Sequence, residues 1–360
     1  MTRRRLALAA TAAAVVLIGG VLLRPSAPTL SPDATGDAEI AQWLRTDVGD
    51  GARHHLVAAV VTPEGIRYGG LGADERTEVE IGSVTKTMTA LLLAQSAAAG
   101  TVALDDRAAD YAEVGDFPGT LAQLASHRSG LPRIPTGVGE IASTVLAQLR
   151  GTDPYAGWSA ADTLRHAAEA DLGAEEVAYS NLGAAVLGQT LARAEGRDYA
   201  DLLRERVLDP LGMTDSSVPV TADALAPDAP TGYTASGRSV APWTLAGYAP
   251  AGGVRSTAAD MARYAQALLT DDPALGVAGS TVLEPRFDAG DGNRIGLSWY
   301  TSDAAGGGST TWHNGGTAGY STMLVMDRDR GVAVFVNGDT ASSVDELGVT
   351  LLQRVLEEES

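Results

Sequence analysis

Ile81-Gly82-Ser83-Val84-Thr85-Lys86 contains the only lysine of the chain; every other residue in its count of 26 Lys plus Arg is arginine. A codon bias favouring arginine explains the imbalance but not the place of the exception, three residues after a serine. Arginine stays protonated at any working pH, whereas a buried lysine amine can give up its proton and act as a base. A chain that writes arginine wherever a positive charge suffices has kept lysine where a removable proton matters. If a helix starts at Ser83, positions i and i+3 share one face, so hydroxyl and amine come within hydrogen-bond reach. A helix N-terminus also favours alkoxide and oxyanion character at that serine. The plain alternative is that Ser83 only caps the helix.

Outward from this element, Thr77–Ile81 is a short extended lead-in. His55–Thr62 and Ile66–Gly72 are two strands around a Pro63-Glu64-Gly65 turn, and a helix starts at Asp37 with acidic residues in its first turn. Ser83 to about Gly100 is helical. The middle of the chain, to about residue 240, carries helical spacing, with Ala160–Ala170, Leu182–Glu195 and Tyr199–Leu208 as helices. Gly296–Thr301, Ser309–His313, Ser321–Asp327 and Gly331–Asn337 are strands, the last two joined at Asp327–Gly331. Val344, Leu347, Leu351, Leu352 and Val355 form the apolar stripe of a closing helix. The compact solution is a mixed α/β (α+β) fold. Residues 37–82 and 241–360 build a sheet covered by terminal helices, and residues 83–240 form a mainly helical insertion within one domain, 37–360.

At 360 residues with 45% hydrophobic and 20% charged residues, the chain buries a full core. The absence of cysteine excludes disulfides, thiolate catalysis and cysteine zinc sites. Arg3, Arg4 and Arg5 precede an uncharged run from Leu6 to Leu23, about 27 Å as a helix and so just able to cross a bilayer core. Residues 1–24 are therefore an anchor, or a signal segment if cleaved, that exports the rest of the chain, with 25–36 as an extended linker. Removing the arginines at 3, 4, 5 and 24 from the net charge of −19 leaves about −23 on the exported part. Such a surface repels polyanions and argues against nucleic acid as a partner.

Two further elements carry chemistry. In Tyr179-Ser180-Asn181 a phenol can shuttle a proton and an amide offers both donor and acceptor. Trp312-His313-Asn314-Gly315-Gly316 ends a strand in glycines that let a backbone N–H approach a reacting carbonyl. The five histidines form no metal-binding spacing, no Gly-x-Ser-x-Gly elbow occurs, and no cofactor is called for.

Taken in order, Ser-x-x-Lys, Tyr-x-Asn about 90 residues on, and His-x-Gly on a late strand resemble the penicillin-recognising serine hydrolases. The match is to the class C β-lactamase and D-alanyl-D-alanine carboxypeptidase branch. Leu124-Ala-Ser-His-Arg-Ser-Gly-Leu-Pro132, Asp209-Pro-Leu-Gly-Met213, Ala251–Asp260 and His313–Tyr320 are similar as well, so the resemblance runs from about residue 40 to the C-terminus. It implies a β-lactamase/transpeptidase-like fold and an acyl-enzyme mechanism on a peptide, β-lactam or ester substrate. Ser83 would be the nucleophile, Lys86 and Tyr179 the coupled base, and Asn181 the holder of the acyl-side amide. His313, Asn314 and Gly315 would bind substrate, and the backbone N–H groups of Ser83 and Gly316 would form the oxyanion hole. Where this family often has a hydroxyl residue for a substrate carboxylate, the chain has Asn314, and Gly316 follows Gly315. Thr317, Arg255 or Arg294 would have to compensate. Otherwise the substrate is an ester or amide lacking that carboxylate, or the protein only binds β-lactams or wall peptides without turnover.

Overall fold

The computed structural model describes residues 27–303 and 308–358, so the Leu6–Leu23 run lies outside the described residues. No helix of the described residues is long and apolar enough to cross a membrane. Nine strands form one antiparallel sheet: β1 (Ala34–Gly36), β2 (Leu56–Thr62), β3 (Gly65–Leu71), β4 (Phe287–Gly290), β5 (Asn293–Ile295), β6 (Tyr300–Asp303), β7 (Ser309–Gly316), β8 (Ser321–Asp327) and β9 (Val332–Gly338). Their spatial order is β1-β3-β2-β9-β8-β7-β6-β5-β4, so both ends of the chain meet where β2 pairs with β9.

The central strands are apolar at nearly every position because both faces are covered. Val57, Ala59, Val61, Ala333 and Phe335 point into one core. The alternating Ala58, Val60, Val332, Val334 and Val336 point into a second. Helices α1 (Ala38–Asp47) and α7 (Asp345–Glu358) cover that second face. The first face meets α6 (Ala258–Leu269), within the stretch read as sheet, and then the helical region. Asp37 caps α1 by accepting from the Glu39 and Ile40 N–H groups.

Between Ser83 and residue 240 run α2 (Thr85–Ala98), α3 (Val138–Arg150), α4 (Ala160–Ala168) and α5 (Asn181–Ala194). Every residue of α2 from Thr85 to Ser96 is buried, so it is the central helix and needs no polar face.

Several boundaries differ from the sequence reading. The linker read as an extended tether ends in β1, which pairs with Gly69–Leu71 at the sheet edge, where two glycines let the chain approach. Ser83 itself lies in a 3-10 turn, Gly82–Val84, and the α-helix begins at Thr85. The strand read as Gly296–Thr301 starts at Tyr300, because Gly296–Trp299 closes a turn with Ser298 at φ 64°. The helix read as Tyr199–Leu208 is α-helical to Leu203 and then widens into a π turn over Arg204–Leu208.

Candidate active site

Two backbones meet at the C-terminal end of β7. A Cβ on Gly82 would lie 2.7 Å from the Gly316 nitrogen, and one on Gly315 would collide with the Ile81 carbonyl and come within 3.1 Å of the Ser83 nitrogen. Glycine at both places lets the end of β7 lie directly against the turn that carries Ser83. The N–H groups of Ser83 and Gly316 thus belong to facing segments at the floor of a cleft of about 650 Å³, lined among others by Ser83, Arg133, Tyr179, Asn181 and Thr317.

One turn after Ser83, the Lys86 side chain has no exposed surface. Its Nζ lies 2.9 Å from Ser83 Oγ and donates to the Ala251 carbonyl at 2.5 Å. Burial pushes its pKa well below the usual lysine range, and the Arg133 charge pushes the same way. A neutral amine keeps an N–H on Ala251 O and leaves its lone pair for the Ser83 proton. That is the arrangement of a base poised on a hydroxyl.

The Tyr179 phenol lines the same cleft as Ser83, whose hydroxyl pulls the phenol's pKa down. Burial holds it protonated, far above its ordinary range, against the opposing pull of Ser83 and Arg133. Lys86 Nζ and Arg133 Cζ each lie 4.9 Å from the centre of its ring. Next to it, Ser180 caps α5, accepting from Gly183 N at 2.8 Å and donating to Pro132 O at 2.7 Å. This cap sets Asn181 at the first helical position, facing the cleft. Its Nδ2 donates to Tyr155 OH at 3.4 Å, while its Oδ1 is buried with no partner among the described residues. An acceptor desolvated in this way is ready for a substrate N–H.

Strand alternation separates His313 from Asn314. His313 is fully buried on the cleft side, its Nδ1 donating to Asn314 O at 2.6 Å, which leaves Nε2 as an unpartnered acceptor. Burial pushes its pKa down to about 3, so it brings no positive charge. Asn314 reaches the cleft wall, but its amide is committed to Asp345 at the start of α7, at 2.8 Å.

The three residues that could replace the missing hydroxyl are placed otherwise. Arg255 is buried and donates to Glu78 at 2.6 Å, Glu80 at 2.9 Å and Pro230 O at 3.0 Å. Arg294 pairs with Asp303 at the far edge of the sheet. Thr317 does line the cleft, with its hydroxyl accepting from Gly319 N at 3.3 Å and Tyr320 N at 3.1 Å.

Two cleft-side residues escaped the sequence reading. His127 packs on Tyr179 with ring centres 4.5 Å apart, accepts from Ser180 N and has a buried Nε2 without a partner. Its φ of 56° follows from the sharp turn in which it sits. Arg133 follows Pro132 directly. His127 lies within the quoted Leu124–Pro132 segment and Arg133 directly after it, and that segment was the available signal.

Residues 40–354 match the family model described as Beta-lactamase. The D-alanyl-D-alanine-carboxypeptidase/endopeptidase AmpH of Escherichia coli is 30% identical over 281 residues, covering 72% of this chain and 70% of that protein. A D-stereospecific amidohydrolase from Streptomyces sp. superposes with a TM-score of 0.68 at 25% identity, over 87% of this chain and 97% of the other. A class C beta-lactamase shares the fold with a TM-score of 0.72 at 18% identity, over 88% and 93% of the two chains. The chain therefore belongs to the beta-lactamase family and is a serine hydrolase of that family.

Proposed function

We propose that the protein is an exported, membrane-tethered hydrolase that forms an acyl-enzyme at Ser83 and cleaves amides of D-amino acid peptides, as a D-alanyl-D-alanine carboxypeptidase does. The observation that carries this reading is the desolvated Lys86 amine 2.9 Å from Ser83 Oγ. Lys86 takes the Ser83 proton as Oγ attacks the substrate carbonyl, and the developing oxyanion turns to the Ser83 and Gly316 N–H groups. The Tyr179 phenol donates its proton to the leaving nitrogen and is refilled from the protonated Lys86, so the C–N bond breaks with protons balanced. Water then attacks the acyl-enzyme and returns Ser83. Asn181 Oδ1 receives the acyl-side N–H.

The names of AmpH and of the Streptomyces amidohydrolase support D-configured amide substrates. A second reading, an amidase or esterase that ignores a carboxylate on the leaving group, is favoured by the commitment of Arg255 to Glu78 and Glu80. Export and tethering rest on Arg3–Arg5 and the uncharged Leu6–Leu23 run.

The test is mass spectrometry of the purified protein with benzylpenicillin and with N-acetyl-D-alanyl-D-alanine. A penicilloyl adduct on Ser83, loss of the drug or release of D-alanine supports the carboxypeptidase-like reading. If these leave protein and ligands unchanged while D-alaninamide or short-chain esters are hydrolysed, the second reading stands. Inertness towards all of them sinks both. For localisation, recovery of the full chain in the soluble fraction after cell lysis, still carrying residues 1–24, would overturn the tether.

A further inference from the structure

We propose that Arg133 is the anion-recognising residue of the cleft, and that the preferred substrate carries a carboxylate on its acyl-donor part, on the Asn181 side of the scissile bond. This rests on the acyl-enzyme reading above. Among the described residues Arg133 is the only basic residue lining the cleft wall, and its guanidinium has no carboxylate or hydrogen-bond partner. In a chain of net charge −19, carboxylates are abundant, and Arg128, Arg255 and Arg294 have each found one. Arg133 instead lies over the Tyr179 ring, a contact that orients the plane and consumes none of its N–H donors. A planar fork with its donors free matches a carboxylate in bidentate geometry.

The backbone places this fork. Asn181 N and Leu182 N donate to Arg133 O at 3.0 and 3.3 Å, which ties the residue to the N-terminus of α5 beside the vacant Asn181 Oδ1. An acyl donor whose N–H meets Asn181 therefore extends past Arg133. The other candidates for an anion are excluded by the geometry above: His313 is neutral, and Arg255 and Arg294 are paired. The acidic surface repels an anionic ligand at long range. That repulsion is screened within roughly 10 Å, so the local cation decides binding.

The Arg133 charge also acts on Lys86 and Tyr179, and removing it would affect every substrate. The test therefore compares two ligands and needs no turnover. Calorimetry in a Ser83→Ala background measures N-succinyl-D-alaninamide against N-butyryl-D-alaninamide, which differ by one carboxylate. The succinyl ligand is expected to bind roughly 10- to 100-fold more tightly. Adding Arg133→Gln should abolish that ratio, and Arg133→Lys should keep part of it. Equal binding of the two ligands, no binding of the succinyl ligand, or a preference that survives Arg133→Gln overturns the proposal. An Arg133-dependent preference for N-butyryl-D-alanyl-D-alanine over its C-terminal amide, without the succinyl preference, overturns the acyl-side placement. Failure of the hydrolase reading shows separately, as the absence of any Ser83 adduct or turnover in the wild type.

Discussion

Lys86 Nζ is held 2.5 Å from the carbonyl of Ala251, a residue 165 positions further along the chain. This contact draws the amine out of solvent and leaves it facing Ser83. Burial that lowers a lysine pKa means that the unfolded chain binds a proton which the native state refuses. The wild type therefore gains stability as pH rises towards the ordinary lysine value of about 10.4 and forfeits it below. Lys86→Met lacks this dependence. Its stability relative to wild type, from urea unfolding at pH 7, 8.5 and 10, should fall as pH rises. A difference independent of pH would mean that the native amine is protonated.

In the proposed mechanism the lowered pKa of this amine also sets the activity. Hydrolysis should persist through neutral pH and be lost as acid protonates Lys86. Lys86→Arg introduces a permanent charge and cannot accept a proton, so kcat should drop by about 10²–10⁴. Unchanged hydrolysis of every substrate in this variant would remove Lys86 from the mechanism.

Burial holds Tyr179 protonated, and in the proposed mechanism it supplies a proton to the leaving group. Tyr179→Phe should then cost about 10²–10⁴ in kcat on an amide, whose nitrogen cannot leave as an anion. An activated ester, whose leaving group needs no proton, should lose far less. Equal losses on amide and ester would assign Tyr179 to ground-state positioning.

The order of the motifs, through the family resemblance they carry, named Ser83, Lys86, Tyr179, Asn181 and His313 together, and the structure gathers them around Ser83. For Arg133 and His127 the only signal was the Leu124–Pro132 segment, which does not say that they face Tyr179. Their place depends on a loop folding back over Tyr179, fixed by contacts such as Ser180 to Pro132, 48 residues apart. Asn314 was read as a substrate contact from its motif position. Asn314 does line the cleft, and its amide donates to Asp345, a partner that local sequence does not reveal. Strands β4 and β5 were missed because they lie at the polar edge of the sheet, where burial imposes little apolar alternation.

Arg255 braces the cleft from behind. It is paired with the buried Glu80, which also accepts from Trp243 N at 2.8 Å. Arg255→Met would leave the Glu80 charge without its partner and should cost about 3–5 kcal/mol of stability. Because both groups go together, the double variant Arg255→Met, Glu80→Gln should lose less than the sum of the single changes. Strict additivity in urea unfolding would show that the pair is not coupled.

Helix α3 forms one wall of the cleft through Thr144 and Gln148, yet none of its residues is buried, and Val138 and Leu149 are 87% and 70% exposed. A helix of this length is marginal without packing, so its stability depends on its ends. Arg238 supplies one of these ends, donating to Leu149 O at 2.8 Å and Gln148 O at 3.1 Å. Amides of residues 138–150 should therefore exchange with solvent orders of magnitude faster than those of the buried α2. Arg238→Ala should speed them further while leaving α2 protected. It should also weaken KM more than kcat, since the wall frays while Ser83 and Lys86 stay in place. Protection in α3 equal to that in α2 would show that the wall is rigid and that Arg238 does not hold it.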